Sequence, residues 1–366
     1  MKNKIKVLLI MLSTILSLTS CSTLTNVVTK IDEEVEVTKI ESTITEVYET
    51  VSKGCVGIVA TTTDGGGSTG SGVVYAYDEN TSTYYVVTNA HVVEDTTTQM
   101  VYLGKSKYYT AKLVGKDSKN DVAVLTFNVD VLGSDFEIYV NDIFNYQDND
   151  LVVPGQTVLA IGCPLGIENF NILTTGVISS VSASKISTDA SINPGNSGGG
   201  LFNMQGRLIG LNTEKEVWTT SQDDAGRVQD IPVEGRGYAI TLSVIKKCIN
   251  DIIAKNGDVT RPTLGLMVAT VNTILIPNSE YKQYLPVSDD VVYFIVTEYA
   301  DSKSNAMLSG VKIHDVILSI DGDKVYESQD ITNKLNMLQP GDSIVLTVYR
   351  LENGKGKVLD ITVTFR

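Results

Sequence analysis

From Cys55 onward the chain is a succession of short β-branched and aromatic runs, each cut off by a turn: Val73 to Tyr77, Tyr84 to Thr88, Val101-Tyr102-Leu103, Thr157 to Ile161 and Arg207 to Leu211. This is an all-β signature, because such side chains pack well on a pleated surface and each run ends before a helix could bury a face. Gly65-Gly66-Gly67 and Gly70 fall in the same stretch. No Lys follows them at P-loop spacing, so they read as a flexible turn and not as a phosphate cradle.

The 366 residues imply two or three domains at roughly 100–200 residues each. The first twenty residues form a basic start and an apolar run, Val7 to Leu12 continuing to Leu18, which is too short for a comfortable membrane span. They read as an export signal. Leu18-Thr19-Ser20-Cys21 resembles the bacterial lipoprotein processing box, which implies cleavage before Cys21 and lipid attachment to its sulfur. The protein is then expected on the outer face of a bacterial membrane. This leader carries Lys2, Lys4 and Lys6 and no acid, so its removal takes the net charge from −14 to −17. So acidic a chain excludes nucleic acid as a partner and needs the lipid, not a basic patch, to hold it at a membrane.

Residues 21–50 read as a spacer rich in Thr, Val and Glu, and Ile40, Ile44, Val47, Tyr48 and Val51 recur at a helical period. With Cys21 assigned to lipid, Cys55, Cys163 and Cys248 remain. An odd number at wide spacing implies no disulfide framework and no zinc site, so each reads as a small buried hydrophobe. No cofactor is implied.

Gly195-Asn196-Ser197-Gly198-Gly199-Gly200-Leu201 places one hydroxyl among residues that let backbone amides converge on it. A nucleophile there needs a base, and the chain has two histidines. His91 follows a strand in Tyr85-Val86-Val87-Thr88-Asn89-Ala90-His91, whereas His314 lies in a C-terminal segment of different texture and reads as a surface residue. The orienting acid is Asp121, entering the apolar run Val122-Ala123-Val124-Leu125, with Asp117 as its rival. The chain order His, Asp, Ser matches the trypsin-like arrangement of a triad.

Four blocks together resemble the HtrA/Deg serine proteases: Thr88-Asn89-Ala90-His91-Val92-Val93, Asn120 to Leu125, Ala160-Ile161-Gly162-Cys163-Pro164-Leu165-Gly166, and Thr188 to Gly199. The likeness continues through Gly237-Tyr238-Ala239-Ile240 and covers residues 51–256; a second, to a PDZ domain, covers 262–366 through Ala306 to Val311 and Asp315 to Gly322. The resemblance implies a mainly β chain: a trypsin-like pair of six-stranded barrels with the site in the cleft between them, then a small α+β PDZ domain. It further implies an endopeptidase acting on unfolded or extended proteins, the backbone N–H groups of Gly195 and Ser197 as oxyanion donors, and Ser191 near the floor of the specificity pocket. No carboxylate stands at that position, so an aliphatic residue before the cut is implied. In the PDZ unit Thr263-Leu264-Gly265-Leu266 occupies the carboxylate-binding loop, where a peptide C-terminus would dock as an added strand. The region before the barrels often helps such proteases form trimers.

Several segments depart from the family. His314 stands where PDZ domains usually carry Gly, the loop between Ser180 and Thr188 is short and lacks the usual Arg, Glu214 to Arg236 reads as a long polar loop, and Asn272 to Asp290 looks like an insertion. Further strands are expected at Leu264 to Val271, Val291 to Val296, Val316 to Ile320, Ile344 to Val348 and Ile361 to Val363, with Ser328 capping a helix to Leu338. Two other readings stay open: a proteolytically silent, chaperone-like peptide binder, and an esterase using the same triad.

Overall fold

The computed structural model describes residues 43–129, 137–145, 152–215, 218–222, 228–232, 235–274, 280–287 and 290–366. Cys21, the leader and most of the spacer lie outside these. The chain divides between Thr50 and Val51 into two units. A helix (α1, 43–51) covers the stretch in which Ile44, Val47, Tyr48 and Val51 recur at helical spacing.

In the second unit β1 (Cys55–Thr62), β2 (Gly67–Asp78), β3 (Thr83–Thr88), β4 (Thr96–Tyr102), β5 (Tyr108–Asp117) and β6 (Val122–Asn128) close into an antiparallel barrel in the order β1-β2-β3-β6-β5-β4. Alternation sends Val56, Ile58, Val74, Val86, Leu125 and Phe127 inward, where all are buried. A second closed barrel follows. Its strands are β7 (Thr157–Gly162), β8 (Ile172–Val181), β9 (Lys185–Thr188), β10 (Gly200–Asn203), β11 (Leu208–Lys215) and, after a hairpin of β12 (Trp218–Gln222) with β13 (Val228–Pro232), β14 (Gly237–Thr241). Val158, Ala160, Ile178, Ile186, Leu201 and Ile209 fill it. Closure leaves neither barrel an open edge, and His91, Asp121 and Ser197 lie on segments between barrel strands.

The 214–236 stretch is therefore not one long loop. Its β-branched and aromatic positions pair from Trp218 with Pro232 to Gln222 with Val228, a pattern hidden by the polar average of the segment. By contrast, the connection between β8 and β9 is a tight hairpin, closed by the Ser182 N–H donating to the Lys185 carbonyl at 2.8 Å.

Helix α2 (Leu242–Lys255) leaves the second barrel and buries Val244, Ile245, Cys248, Ile249 and Ile252 along one face, against β5, β6 and β11. Asn256, left-handed at φ 49°, ends it. The C-terminal region is a sheet with two short helices: β15 (Leu266–Asn272), β16 (Val292–Tyr299), α3 (Asn305–Leu308), β17 (Val316–Ile320), β18 (Asp323–Lys324), α4 (Ser328–Asn336), β19 (Ser343–Glu352) and β20 (Lys355–Thr364). The strand order is β15-β16-β17-β19-β20, with β18 on β17, so β15 is an edge. Phe294, Val296, Ile317, Leu346, Val363 and Phe365 form its main core, on which Leu335 of α4 packs.

Two expectations here need correction. The cap of α4 is Glu327 and not Ser328. The Glu327 side chain and Asp330 form a reciprocal capping box, with the Asp330 carboxylate accepting from the N–H groups of Tyr326 and Glu327 at 2.8 and 3.0 Å. Ser328 becomes the first helical residue, and the helix stops at Asn336, short of Leu338. His314 is likewise no surface substitution. It holds φ 73°, which explains the family's Gly, and its half-buried ring stacks on Tyr284 with centroids 4.0 Å apart and planes 16° apart. Tyr284 comes from the 272–290 insertion, whose Tyr281, Tyr284 and Leu285 cover the second face of the sheet over Val271, Tyr293, Ile295 and Val316.

The PDZ-like region is tied to the first barrel and α2 by Arg261, whose side chain is fully buried. Its Nε donates to Asp117 Oδ2 at 2.7 Å, another nitrogen lies 2.8 Å from Asp251 Oδ2, and Nη1 donates to the Leu338 carbonyl at 3.1 Å. Gln339 Nε2 donates to Asp251 Oδ1 at 2.6 Å from the same side. Replacing Arg261 by Ala strands a buried carboxylate, so Arg261→Ala is expected to cost about 3–5 kcal/mol in denaturant unfolding. Asp117→Ala in the same background adds much less than it costs alone.

Candidate active site

The turn from β5 to β6 presents Asp121, and its shape is set by Asp117. The buried Asp117 carboxylate accepts from the Asn120 N–H at 3.1 Å and Asn120 Nδ2 at 2.9 Å, folding the turn back on itself. Asp117, the rival acid, is thus consumed inside the protein. Asp121 leaves the turn at φ 55°, an uncommon conformation for a residue with a Cβ and one that points to a site where geometry outranks local comfort.

His91 sits in a 3-10 turn, Ala90–Val92, just after β3. Its Nδ1 lies 3.0 and 2.9 Å from the two carboxylate oxygens of Asp121, and its backbone N–H donates to Oδ1 at 3.0 Å. Asn89 Nδ2 locks the pair from below through the Asp121 carbonyl at 2.9 Å. A carboxylate can only accept, so the proton sits on Nδ1 and Nε2 keeps the basic lone pair. The His91 side chain is 51% exposed and Asp121 28% exposed.

Ser197 comes from the second barrel, between β9 and β10. The Asn196 N–H donates to the Asn193 carbonyl at 2.9 Å across Pro194 and Gly195, with Gly195 at φ 99°. Pro at the second position and a positive φ at the third make this a type II turn. A Cβ on Gly195 would come within 2.2 Å of the Cys163 carbonyl oxygen, so only Gly fits. The Pro194 carbonyl accepts from the Leu165 N–H at 2.7 Å. Because the peptide is trans, the Gly195 N–H points away from that segment. Neither it nor the Ser197 N–H donates to another described residue.

Thr213, on β11, joins the groups. Its hydroxyl donates to Asp121 Oδ2 at 2.8 Å, and its carbonyl accepts from Ser197 Oγ at 2.8 Å. The sequence offered no signal for Thr213 beyond its place at the end of a strand. Ser191 is exposed, and its carbonyl accepts from Thr174 Oγ1 at 2.9 Å and Asn196 Nδ2 at 3.4 Å, bracing the serine turn. In the C-terminal region Leu264 is buried and its carbonyl accepts from Ser304 Oγ at 2.9 Å, Gly265 holds φ 68°, and Leu266 opens edge strand β15. Among the described residues no group of three His, Cys, Asp or Glu side chains could hold a metal ion.

Two closed six-stranded antiparallel barrels, one carrying the bonded His91–Asp121 pair and the other Ser197, with Thr213 hydrogen-bonded to both Asp121 and Ser197, are the architecture of a trypsin-fold peptidase. Residues 70–211 match the trypsin-like peptidase domain family and residues 287–365 the PDZ domain family. The chain is 35% identical over 306 residues to the serine protease Do-like HtrA of Lactobacillus helveticus, covering 81% of this chain and 68% of that one. It is 32% identical to HtrA of Bacillus subtilis, over 78% of this chain and 61% of the other. Among solved structures, HtrA-type protease AlgW with a tripeptide superposes with a TM-score of 0.63 at 26% identity, over 87% of this chain and 95% of that one. The chain belongs to the HtrA (Do-like) family of serine proteases, and it is a serine endopeptidase.

The three described cysteines are free and buried. Burial pushes the Cys55, Cys163 and Cys248 thiols up from their ordinary range, and the neighbouring Asp117 carboxylate adds to this at Cys248. A raised pKa keeps the unreactive thiol form at neutral pH. Iodoacetamide at pH 8 is therefore expected to leave these three unmodified in the native chain and to alkylate all three in urea, as read by intact mass.

Proposed function

We propose that the chain is a lipid-tethered, extracytoplasmic endopeptidase that cuts unfolded or loosely folded exported proteins with a His91–Asp121–Ser197 triad, and that its PDZ domain captures peptide C-termini. The observation that supports the triad is the His91 ring, held at Nδ1 by both Asp121 oxygens on the first barrel, with Thr213 bonded both to that carboxylate and to the Ser197 hydroxyl. The Ser197 hydroxyl, bonded to the Thr213 carbonyl at rest, rotates about χ1 to deliver its proton to His91 as it attacks the substrate carbonyl. Asp121 steadies the imidazolium that forms, which then protonates the leaving amine, and water repeats the steps on the acyl-enzyme. The undonated N–H groups of Gly195 and Ser197 are the oxyanion donors. Ser191 brings no carboxylate to the specificity pocket, which favours a small aliphatic residue before the cut.

For the PDZ domain the support is edge strand β15 behind a Gly265 of positive φ, a surface to which an extended peptide adds as a strand. AlgW, the related protease, has been solved with a tripeptide and with a decapeptide. Cys21 is the lipid anchor; among the described residues no helix is long and apolar enough to cross a membrane. A homotrimer completes the reading.

Fluorophosphonate labelling of Ser197, lost in Ser197→Ala, tests the nucleophile, and termini of digested denatured casein read by mass spectrometry test the pocket. Labelling absent from the wild type, with unfolded protein and C-terminal peptides present, sinks the triad. Asp121→Asn is expected to keep the fold while lowering kcat by about 10⁴, because the wrong imidazole tautomer is then favoured. At the PDZ domain, amidating the carboxylate of a bound peptide removes a charge-assisted acceptor and is expected to weaken binding by roughly tenfold or more, measured by fluorescence anisotropy.

A further inference from the structure

Ser71 lies in β2 of the first barrel, yet its contacts belong to the serine turn of the second. It is fully buried. Its hydroxyl donates to the Gly195 carbonyl at 2.7 Å and accepts from the Cys163 N–H at 2.9 Å, so both of its hydrogen-bonding functions are spent. Its backbone N–H donates to the Ser197 carbonyl at 2.8 Å, and its own carbonyl accepts from the Thr88 hydroxyl at 2.7 Å, three residues before His91. One residue thus holds the carbonyls of 195 and 197, on either side of Asn196, and braces the strand that delivers the base.

The surrounding sequence is cut to allow this. A Cβ on Gly70 would approach the Ser197 carbonyl oxygen to 3.1 Å and Val92 to 2.7 Å. A Cβ on Gly72 would meet Val86 at 2.6 Å, and one on Gly162 would meet Ser71 Oγ itself at 2.8 Å. Gly70 and Gly162 let the two barrels close on one hydroxyl, while Gly72 leaves room inside the first barrel.

We infer that Ser71 is a positioning residue for the oxyanion site, fixing the Gly195–Asn196 peptide so that the Gly195 N–H keeps its direction. The peptide before Gly195 is held by Leu165 and the peptide after it by Ser71. A rotation that turned the Gly195 N–H out of line would have to change φ at Gly195, and the Ser71 bond resists it. Without the hydroxyl, the part-buried Gly195 carbonyl and the buried Cys163 N–H lose this partner and regain one only by shifting or admitting water. This rests on the reading of Gly195 and Ser197 as oxyanion donors.

The test compares wild type, Ser71→Ala and Ser71→Cys on one scissile bond of denatured casein and on a peptide boronate with an aliphatic residue at boron, whose tetrahedral adduct occupies the oxyanion site. In Ser71→Ala, kcat is expected to fall roughly 10- to 100-fold, less than deletion of a donor outright, with KM within about twofold. The boronate inhibition constant rises in step with the loss in kcat, a coupling that a merely structural role would not produce. Should Ser71→Ala fail to fold, Ser71→Cys carries the test, since its thiol fills the site but donates weakly; about a tenfold loss in kcat at constant KM is then expected. A folded variant with unchanged kcat, or with reduced kcat and undiminished boronate affinity, overturns the inference. If the wild type itself neither cuts casein nor binds the boronate, the proposed function fails first and this inference falls with it.

Discussion

The buried carboxylate of Asp117 is the constraint on which the arrangement of this protein depends. A charge taken out of water costs several kcal/mol unless its oxygens are matched. Here they accept from the Asn120 N–H and side chain, from the Cys248 thiol of α2 and from the Arg261 guanidinium. Each partner belongs to a different structural task. Asn120 shapes the turn that offers Asp121, Cys248 seats α2 on the barrel, and Arg261 pins the segment leading into the PDZ domain. Satisfying one carboxylate therefore fixes the acid loop, the packing helix and the domain junction together.

The candidate site also depends on backbone conformation. Asp121, Gly195 and Gly198 all have positive φ. A Cβ on Gly198 would meet the Ser71 carbonyl oxygen at 2.1 Å, and one on Gly199 the Ile161 carbonyl oxygen at 2.1 Å. Such conformations persist only where neighbours over-determine them. The Gly198 N–H donates to Asn212 O, the Asn212 N–H to Gly199 O and the Ser71 N–H to Ser197 O, so the serine turn is stitched to both barrels. The rigid closed sheets supply the geometry, and the loops need no further packing of their own.

Much of this was legible from residue patterns because it follows from local chemistry. The barrel strands announce themselves by β-branched runs, and the serine turn by glycines that no other residue could replace. The His91 and Asp121 pairing was readable from chain order. What escaped has distant causes. Asp117 and Asp121 look equivalent along the chain, and only Arg261, far downstream, decides which one is buried. Ser71 and Thr213 are ordinary strand residues until the second barrel meets the first. The 218–232 hairpin was masked by polar neighbours, and Glu327 took the cap of α4 from Ser328 because Asp330 could reach back to it. His314 appeared to be a substitution for Gly; its reason lies in Tyr284, contributed by an insertion that the family pattern does not include.

Helix α4 packs on the PDZ core and hydrogen-bonds to the barrels. Ile331 and Leu335 face the PDZ core, while Asn333 accepts from Ser184 Oγ at 2.6 Å and the Asn336 carbonyl accepts from Asn120 Nδ2 at 2.8 Å. Between these bonds lies a cavity of about 250 Å³ lined by Asp121, Thr213, Lys185, Thr332 and their neighbours. Its lining mixes these polar groups with the apolar Ile240 and Val244. The junction thus combines apolar packing on the PDZ side with a few directional bonds on the barrel side, each reaching a specific group. One of those groups is Asn120, the residue before Asp121, and another is the short 182–184 turn. Helix α4 therefore touches the turn that carries Asp121 through a direct hydrogen bond to Asn120, as well as the 182–184 turn through Ser184.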